Sequence, residues 1–276
     1  MTKQDNRSVY EQDDHPVLEA NMDRPSDATS RHMASPVVEL RQYTLHPGQR
    51  ETLIGLFDNE FIESQEATGM TVIGQFRDLD RPDMFVWMRG FEDMEARRSA
   101  LTAFYDGPVW ARHRDAANGT MIDSNDVLLL KPAWRNAGFD LSASRRPPAA
   151  ENASGENRLE AVVEVRIHHP RPGVEAAFAR RFASEALPLL TSGGARLLGA
   201  FVSEHALNTF PRLPVRTGEN TFIAVIAFDD EGAHAKCRAT LAASSAWREF
   251  LDGAEAISTR PAEALRLAPT RRSLLR

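Results

Sequence analysis

The sequence is notable first for what it lacks. It holds one cysteine, Cys237, in 276 residues. A lone thiol excludes an internal disulfide framework and any multi-cysteine zinc site. Its place in an expected helix makes it a small buried hydrophobe. No run approaches the roughly 18 consecutive apolar residues of a membrane span, so integral membrane association is not expected. The first fifteen residues carry no apolar core of the kind a secretory signal needs. Walker, GxGxxG, GxSxG, HExxH and CxxC patterns are all missing, which removes the common nucleotide, serine-hydrolase and zinc-peptidase classes. There is no basic stripe, and a formal net charge of −6 argues against a nucleic-acid partner. Together these absences describe a cytoplasmic globular protein with no metal and no cofactor dictated by its motifs.

What is present is a repeat. Glu39-Leu40-Arg41 matches Glu164-Val165-Arg166, Pro47-Gly48 matches Pro172-Gly173, and Gly69, Gly74 and Phe76 match Gly194, Gly199 and Phe201, all at an offset of 125. Beyond that, Phe85, Phe91, Asp93 and Trp110 match Phe222, Phe228, Asp230 and Trp247 at an offset of 137. Two constant offsets with tryptophan in register imply duplication. Their difference places a 12-residue insertion in the second copy, within His205 to Gly218.

Each copy reads alike. Val37–Thr44 alternates as a strand does. A Pro-Gly turn leads to a helix with Leu53, Leu56, Phe57 and Phe61 on one face, stopped near Gly69. Thr71–Arg77 and Met84–Gly90 form a hairpin. Asp93 caps a helix reaching Tyr105, Pro108 opens a short one, and Val127–Leu130 is the last strand. Asp123 and Asp126 would cap the turn before it. The second copy repeats this over Leu159–Ile167, Val174–Leu190, Ala195–Ser203, Asn220–Phe228, Glu231–Phe250 and Ala264–Leu267. Such a β-α-β-β-α-β unit is ferredoxin-like. The expected fold is α+β: two ferredoxin-like repeats packed sheet to sheet as an intrachain α/β barrel with helices outside. The expected divisions are a disordered segment over 1–36, a first domain over 37–135, a linker over 136–157, a second domain over 158–270 and a solvated basic tail over 271–276. Met33, four residues before the first strand, offers a second start.

The runs VVELRQYTLHPGQRETLIGLF, GMTVIGQFRDLDRPDMFVWMRGFEDMEAR and LTAFYDGPVW resemble the NIPSNAP family, a member of the dimeric α/β-barrel superfamily. The resemblance is strong over 37–131 and weaker over 159–268, where the repeat register carries it. It implies the barrel fold. The superfamily includes cofactor-free monooxygenases, haem binders, haem-degrading enzymes and small lactone isomerases, so the resemblance fixes fold better than function. Single-copy members would pair through the sheet face. Here that pairing can be met inside one chain, giving a pseudo-dimeric monomer, or a homodimer through other surfaces.

Strand alternation sorts two faces. Val38, Leu40, Val72, Phe76, Met84, Val86 and Met88 suit packing under the helices. Glu39, Arg41, Tyr43, Gln75, Arg77, Trp87 and Arg89 would then line the space between the sheets. The second copy keeps Glu164, Arg166 and Trp247 but replaces Gln75, Arg77, Trp87 and Arg89 with Ala200, Val202, Ala224 and Ile226, and Tyr105 and His113 with Ala242 and Phe250. What both copies keep is architectural. What the first alone has marks one site, with Arg41, Gln75, Trp87 and Arg89 as binding residues and Tyr105 and His113 as catalytic candidates. The plainer readings are a structural Glu39–Arg41 ion pair, a helix-surface His113, a Tyr105 packed over Pro108, and core tryptophans. His168-His169-Pro170 reads as a strand-end turn, since no third metal ligand lies at useful spacing. The function expected is binding or transformation of a small apolar or aromatic molecule between the sheets without a bound metal. The alternative is a non-catalytic oligomerising interaction module.

Overall fold

The computed structural model describes residues 33–149 and 160–276. The first half runs β2 (Val37–Leu45), α1 (Arg50–Leu56), a π-helical turn (Phe57–Phe61), α2 (Ile62–Glu66), β3 (Thr71–Asp78), β4 (Met84–Phe91), α3 (Met94–Tyr105), α4 (Pro108–Asn118) and β5 (Met121–Pro132). A short β1 (Met33–Ala34) precedes it and pairs with β6 (Phe139–Asp140). The second half repeats the order with β7 (Val162–His168), α5 (Glu175–Arg181), a π-helical turn (Phe182–Ala186), α6 (Leu187–Ser192), β8 (Arg196–Ser203), β9 (Phe222–Phe228), α7 (Glu231–Ala243), α8 (Ser245–Ala256) and β10 (Glu263–Pro269). Gly69 and Gly194 stop the first helical stretch of each half at φ +94° and +90°, a conformation that costs glycine little. Asp93 and Asp230 cap α3 and α7 by accepting from backbone N–H groups of the first turn.

Each half is a four-stranded antiparallel sheet with its two middle strands flanked in the ferredoxin-like order, β5-β2-β4-β3 and β10-β7-β9-β8. The edges meet: β5 pairs with β8 and β10 with β3, so eight strands close into one barrel. Closure removes every sheet edge of the barrel. The fold is therefore α+β, an intrachain α/β barrel of two ferredoxin-like repeats. Even irregularities repeat. The register shifts at Val72/Gly74 and at Leu197/Gly199, and there the Phe76 and Phe201 rings lie where a Cβ on the glycine would be, at 2.6 and 2.7 Å. Strand β5 starts at Met121 rather than at Val127, because register shifts let Asp123 pair with Thr44 before the regular ladder begins.

Three apolar layers hold the molecule together. Among the described residues, sixteen buried side chains from the eight barrel strands form one cluster, joined by Phe139 of β6 and Leu275 of the tail. Val38, Leu40, Phe76, Val86 and Met88 come from the first half, and Val163, Val165, Phe201, Ile223 and Val225 from the second. Separate clusters pack each half's helices on the outer face of its sheet.

This arrangement reverses the face assignment expected from alternation. The apolar set faces the barrel, and the charged and aromatic set lies beneath the helices. Alternation separates two sets but does not say which is inside when both faces are covered. The charged residues need partners, and only the helix side supplies them, from α2 and α3. The barrel centre asks instead for branched and aromatic shapes that fill space.

Two segments expected to be loose are packed. Within the stretch expected as a linker, Ala137 and Phe139 are buried, and Arg146 donates to Glu66 and to the carbonyl of Val72. Residues 150–157 of that stretch, and residues 1–32, lie outside the described residues. The C-terminal tail is not solvated: Arg272, Ser273 and Leu275 are buried, and Arg272 pairs with Glu63 and donates to Pro147 O. A basic tail can be buried when its guanidinium groups meet carbonyls and a carboxylate, here those of Asp58, Pro147 and Glu63.

Candidate functional site between the first sheet and its helices

Strand register builds the site. Glu39 on β2 faces Arg89 on β4, and one pair further along Arg41 faces Trp87, which in turn faces Gln75 on β3. The two-residue period puts Glu39, Arg41 and Tyr43 on one outward row. Helix α3 adds Arg97 from above, one turn after its Asp93 cap.

Glu39 is the hub. It accepts from Arg41 Nη1 at 2.7 Å, from Arg89 Nε at 2.8 Å and from Arg97 Nε at 2.7 Å. All four side chains are buried from water. Burial alone would raise the Glu39 carboxyl, but Arg89, Arg41 and Arg97 overcome it and hold the group far below the ordinary carboxylate range. Burial presses the Arg97 guanidinium below its usual value, opposed by Glu39. Arg41 also donates from Nε to Tyr43 Oη at 3.0 Å, and burial pushes the Tyr43 phenol up. Three cations thus share one carboxylate. Several donors of the cluster have no hydrogen-bond partner among the described residues: Arg89 Nη2, Arg97 Nη2 and Trp87 Nε1.

An aromatic layer lies against this cluster. Trp87 meets Phe57 at 4.9 Å and Tyr43 at 5.9 Å between ring centroids, both edge-on. The Arg89 guanidinium lies 5.1 Å from the Trp87 ring and 6.0 Å from that of Tyr105, and Arg41 lies 5.6 Å from Trp87. A cavity of about 30 Å³ sits among Tyr43, Phe61, Gln65, Trp87, Tyr105 and Trp110. That volume suits a water-sized occupant and grows only if its cover moves. The cover is α4, whose single fully buried residue is Ala117. In the second half the corresponding α8 buries Trp247, Phe250 and Ala254.

The insertion in the second half closes the first half's site. Phe210 stacks on Tyr105 at 5.8 Å, and Arg97 Nη1 donates to Asn208 Oδ1 at 2.9 Å and to Thr209 Oγ1 at 3.4 Å. Thr209 is tied in turn to the carbonyl of Met94.

Of the residues expected at a site, Arg41, Trp87 and Arg89 come together and Tyr105 lines the cavity. They do so beneath the helices rather than between the sheets. Gln75 is buried beside Trp87 in register, yet neither of its amide atoms has a hydrogen-bond partner and it does not line the cavity. His113 sits on α4 outside it, 3.3 Å from Glu60 and edge-on to Phe61. Arg77 turns away to Glu51 on α1. The Glu39–Arg41 ion pair is present and is repeated by Glu164 and Arg166. Sequence reasoning missed Arg97, Gln65 and the Asn208–Phe210 contacts. Arg97 could have been found by the same half-against-half comparison, since His234 stands at its equivalent position.

A family model describing NIPSNAP matches residues 38–134. Residues 38–134 form a NIPSNAP domain. Its sheet carries Glu39, Arg41, Trp87 and Arg89, and its helices carry Gln65, Arg97 and Tyr105. Among solved structures, a NIPSNAP family protein from Agrobacterium tumefaciens is 24% identical and covers 43% of this chain and 96% of its own, with a TM-score of 0.35. Two longer proteins follow both halves. A candidate monooxygenase from Fusobacterium nucleatum (6% identity, TM-score 0.52) covers 86% of this chain and 93% of its own. Another from Lactobacillus acidophilus (12% identity, TM-score 0.50) covers 85% and 94%. At such identities they share the fold of the NIPSNAP domain and its companion half. No curated protein matches the chain.

Proposed function

We propose that this protein binds a small aromatic molecule in the space between the sheet and helices of its NIPSNAP domain, without a bound metal, and that the second half is a supporting wall. One observation carries the reading: a cavity ringed by aromatic side chains abuts a buried polar cluster with unpartnered donors. That is the composition of a ligand pocket, apolar walls with a few convergent polar groups. Binding requires α4 to move outward, and its thin packing makes that inexpensive. Tyr105, on the cavity wall, and His113, beside it on the cover, are the groups placed to exchange a proton with a bound molecule. The repeated topology, caps and glycines support tandem duplication as the origin of the two halves. Barrel closure within one chain supports a monomer.

Native mass spectrometry of the purified protein together with a thermal-shift screen of aromatic fragments tests this. Expected is a monomer mass and at least one fragment that raises the melting temperature in wild type but not in Tyr105→Ala. Fragments that stabilise both proteins equally, or none at all, would overturn the pocket. A ligand-free dimer formed through helix faces would favour the oligomerising module instead.

A further inference from the structure

We propose that the molecule held by the NIPSNAP domain carries an anionic oxygen, and that Arg89 and Arg97 receive it. The inference rests on the pocket reading above and assigns the class of ligand.

The argument is one of charge and of donors. Arg41, Arg89 and Arg97 surround a single carboxylate, so the buried cluster carries two positive charges in excess. Neutral oxygens already satisfy part of it: Gln65 accepts from Arg89, and Asn208 and Thr209 accept from Arg97. Those contacts fill hydrogen-bonding capacity but leave the charge uncompensated. Among the described residues, Arg89 Nη2, Arg97 Nη2 and Trp87 Nε1 still lack partners and are donors only, while Gln75, opposite Trp87, leaves one neutral amide with a donor and an acceptor unpartnered and so adds no negative charge. A set of buried donors with surplus positive charge calls for an acceptor with negative charge. Gln65 lines the cavity while holding Arg89 Nη1 at 3.3 Å, so Arg89 lies one side chain behind the wall and a turn of that amide exposes it. The rings of Trp87 and Tyr105, both near the Arg89 guanidinium, provide the face on which an aromatic body would lie.

The second half serves as the internal contrast. Ile226, Ala224 and His234 stand where Arg89, Trp87 and Arg97 do. Glu164 there has Arg166 and His234 as partners, His234 Nε2 at 2.6 Å. With one arginine for one carboxylate, nothing in that half demands an anion. The surplus belongs to the NIPSNAP domain and is not a requirement of the scaffold.

Calorimetric titration with matched pairs tests the inference: benzoate against benzamide, and 4-nitrophenolate against 4-nitroanisole at mildly alkaline pH. In wild type the anion of at least one pair binds about tenfold or more tightly than its neutral match. The stronger pair tells a carboxylate from a phenolate ligand. Arg89→Ile removes most of that preference while changing the neutral ligand's affinity by less than about threefold, on the scale of one charge-assisted hydrogen bond. Should Arg89→Ile fail to fold, Arg97→His, which adopts the second half's residue, gives the same readout. Equal binding of both members of each pair would overturn the anion assignment and leave the pocket standing. A preference for the anion that survives both substitutions would place it elsewhere and also overturn the assignment. No binding by any member to folded wild type would remove the pocket reading itself.

Discussion

The two halves of the barrel share a topology, a glutamate, an arginine and a tryptophan in register, yet they differ in what they bury. Beneath the first half's helices lie three arginines for one glutamate. Beneath the second, Arg166 and His234 partner one glutamate, with alanine and isoleucine in place of Trp87 and Arg89. The second half shows that the same topology closes with one arginine on its glutamate, so the two further arginines of the first are extra to the scaffold. An addition that concentrates like charge in a dry layer opposes stability. Its confinement to one half, next to a thinly covered cavity, is what supports the proposed site.

The largest effect should come from removing the hub. Glu39→Gln strands three buried guanidinium groups and should cost about 3–5 kcal/mol of unfolding free energy, measured by urea titration. Glu164→Gln, with a partly exposed Arg166, should cost about 1–2 kcal/mol. Equal costs would erase the distinction between the halves. The next contrast concerns the covers. Trp247→Ala should cost about 3 kcal/mol, as for a core aromatic, and Trp110→Ala roughly half that because α4 packs lightly. Hydrogen exchange on the wild type should show α4 opening before α8.

Acid should act through the second half. His168 stands where the first half has Tyr43, and burial, with Arg166 nearby, pulls its pKa down to about 4. A depressed histidine stabilises fully above its ordinary value of about 6.5 and loses that contribution as pH falls toward 4. Stability at pH 5 should therefore be about 2 kcal/mol lower than at pH 7 from this group. His168→Phe should flatten that slope, whereas Tyr43→Phe should leave it unchanged. The smallest effect is expected from the insertion. Phe210→Ala should cost about 1 kcal/mol and, by uncovering Tyr105, alter fragment binding to the NIPSNAP domain more than it alters stability.

Much of the fold was legible in the chain because rare residues mark register. Trp110 with Trp247, Gly74 with Gly199 and Asp93 with Asp230 set two halves in register, and alternation with capping signals gave each half its elements. The candidate site was legible in part. Comparing copies picked out Trp87, Arg89 and Tyr105, which the fold does bring together. It also picked out His113, which pairs with Glu60 outside the cavity, and Arg77, which turns to Glu51 at the surface. Spacing along a strand or helix tells which side chains share a face and not what lies opposite.

By itself the sequence determined local structure and its repetition, since strand period, helix face, turn glycines and caps are properties of neighbouring residues. Only the tertiary structure decided which sheet face is sealed inside the barrel. It also decided that the C-terminal tail is buried against β3 and α2, and that the second half's insertion reaches Arg97 and Tyr105 in the first. Those outcomes depend on which groups meet across more than a hundred residues of chain, where charge must find a partner and apolar surface must find a complementary shape.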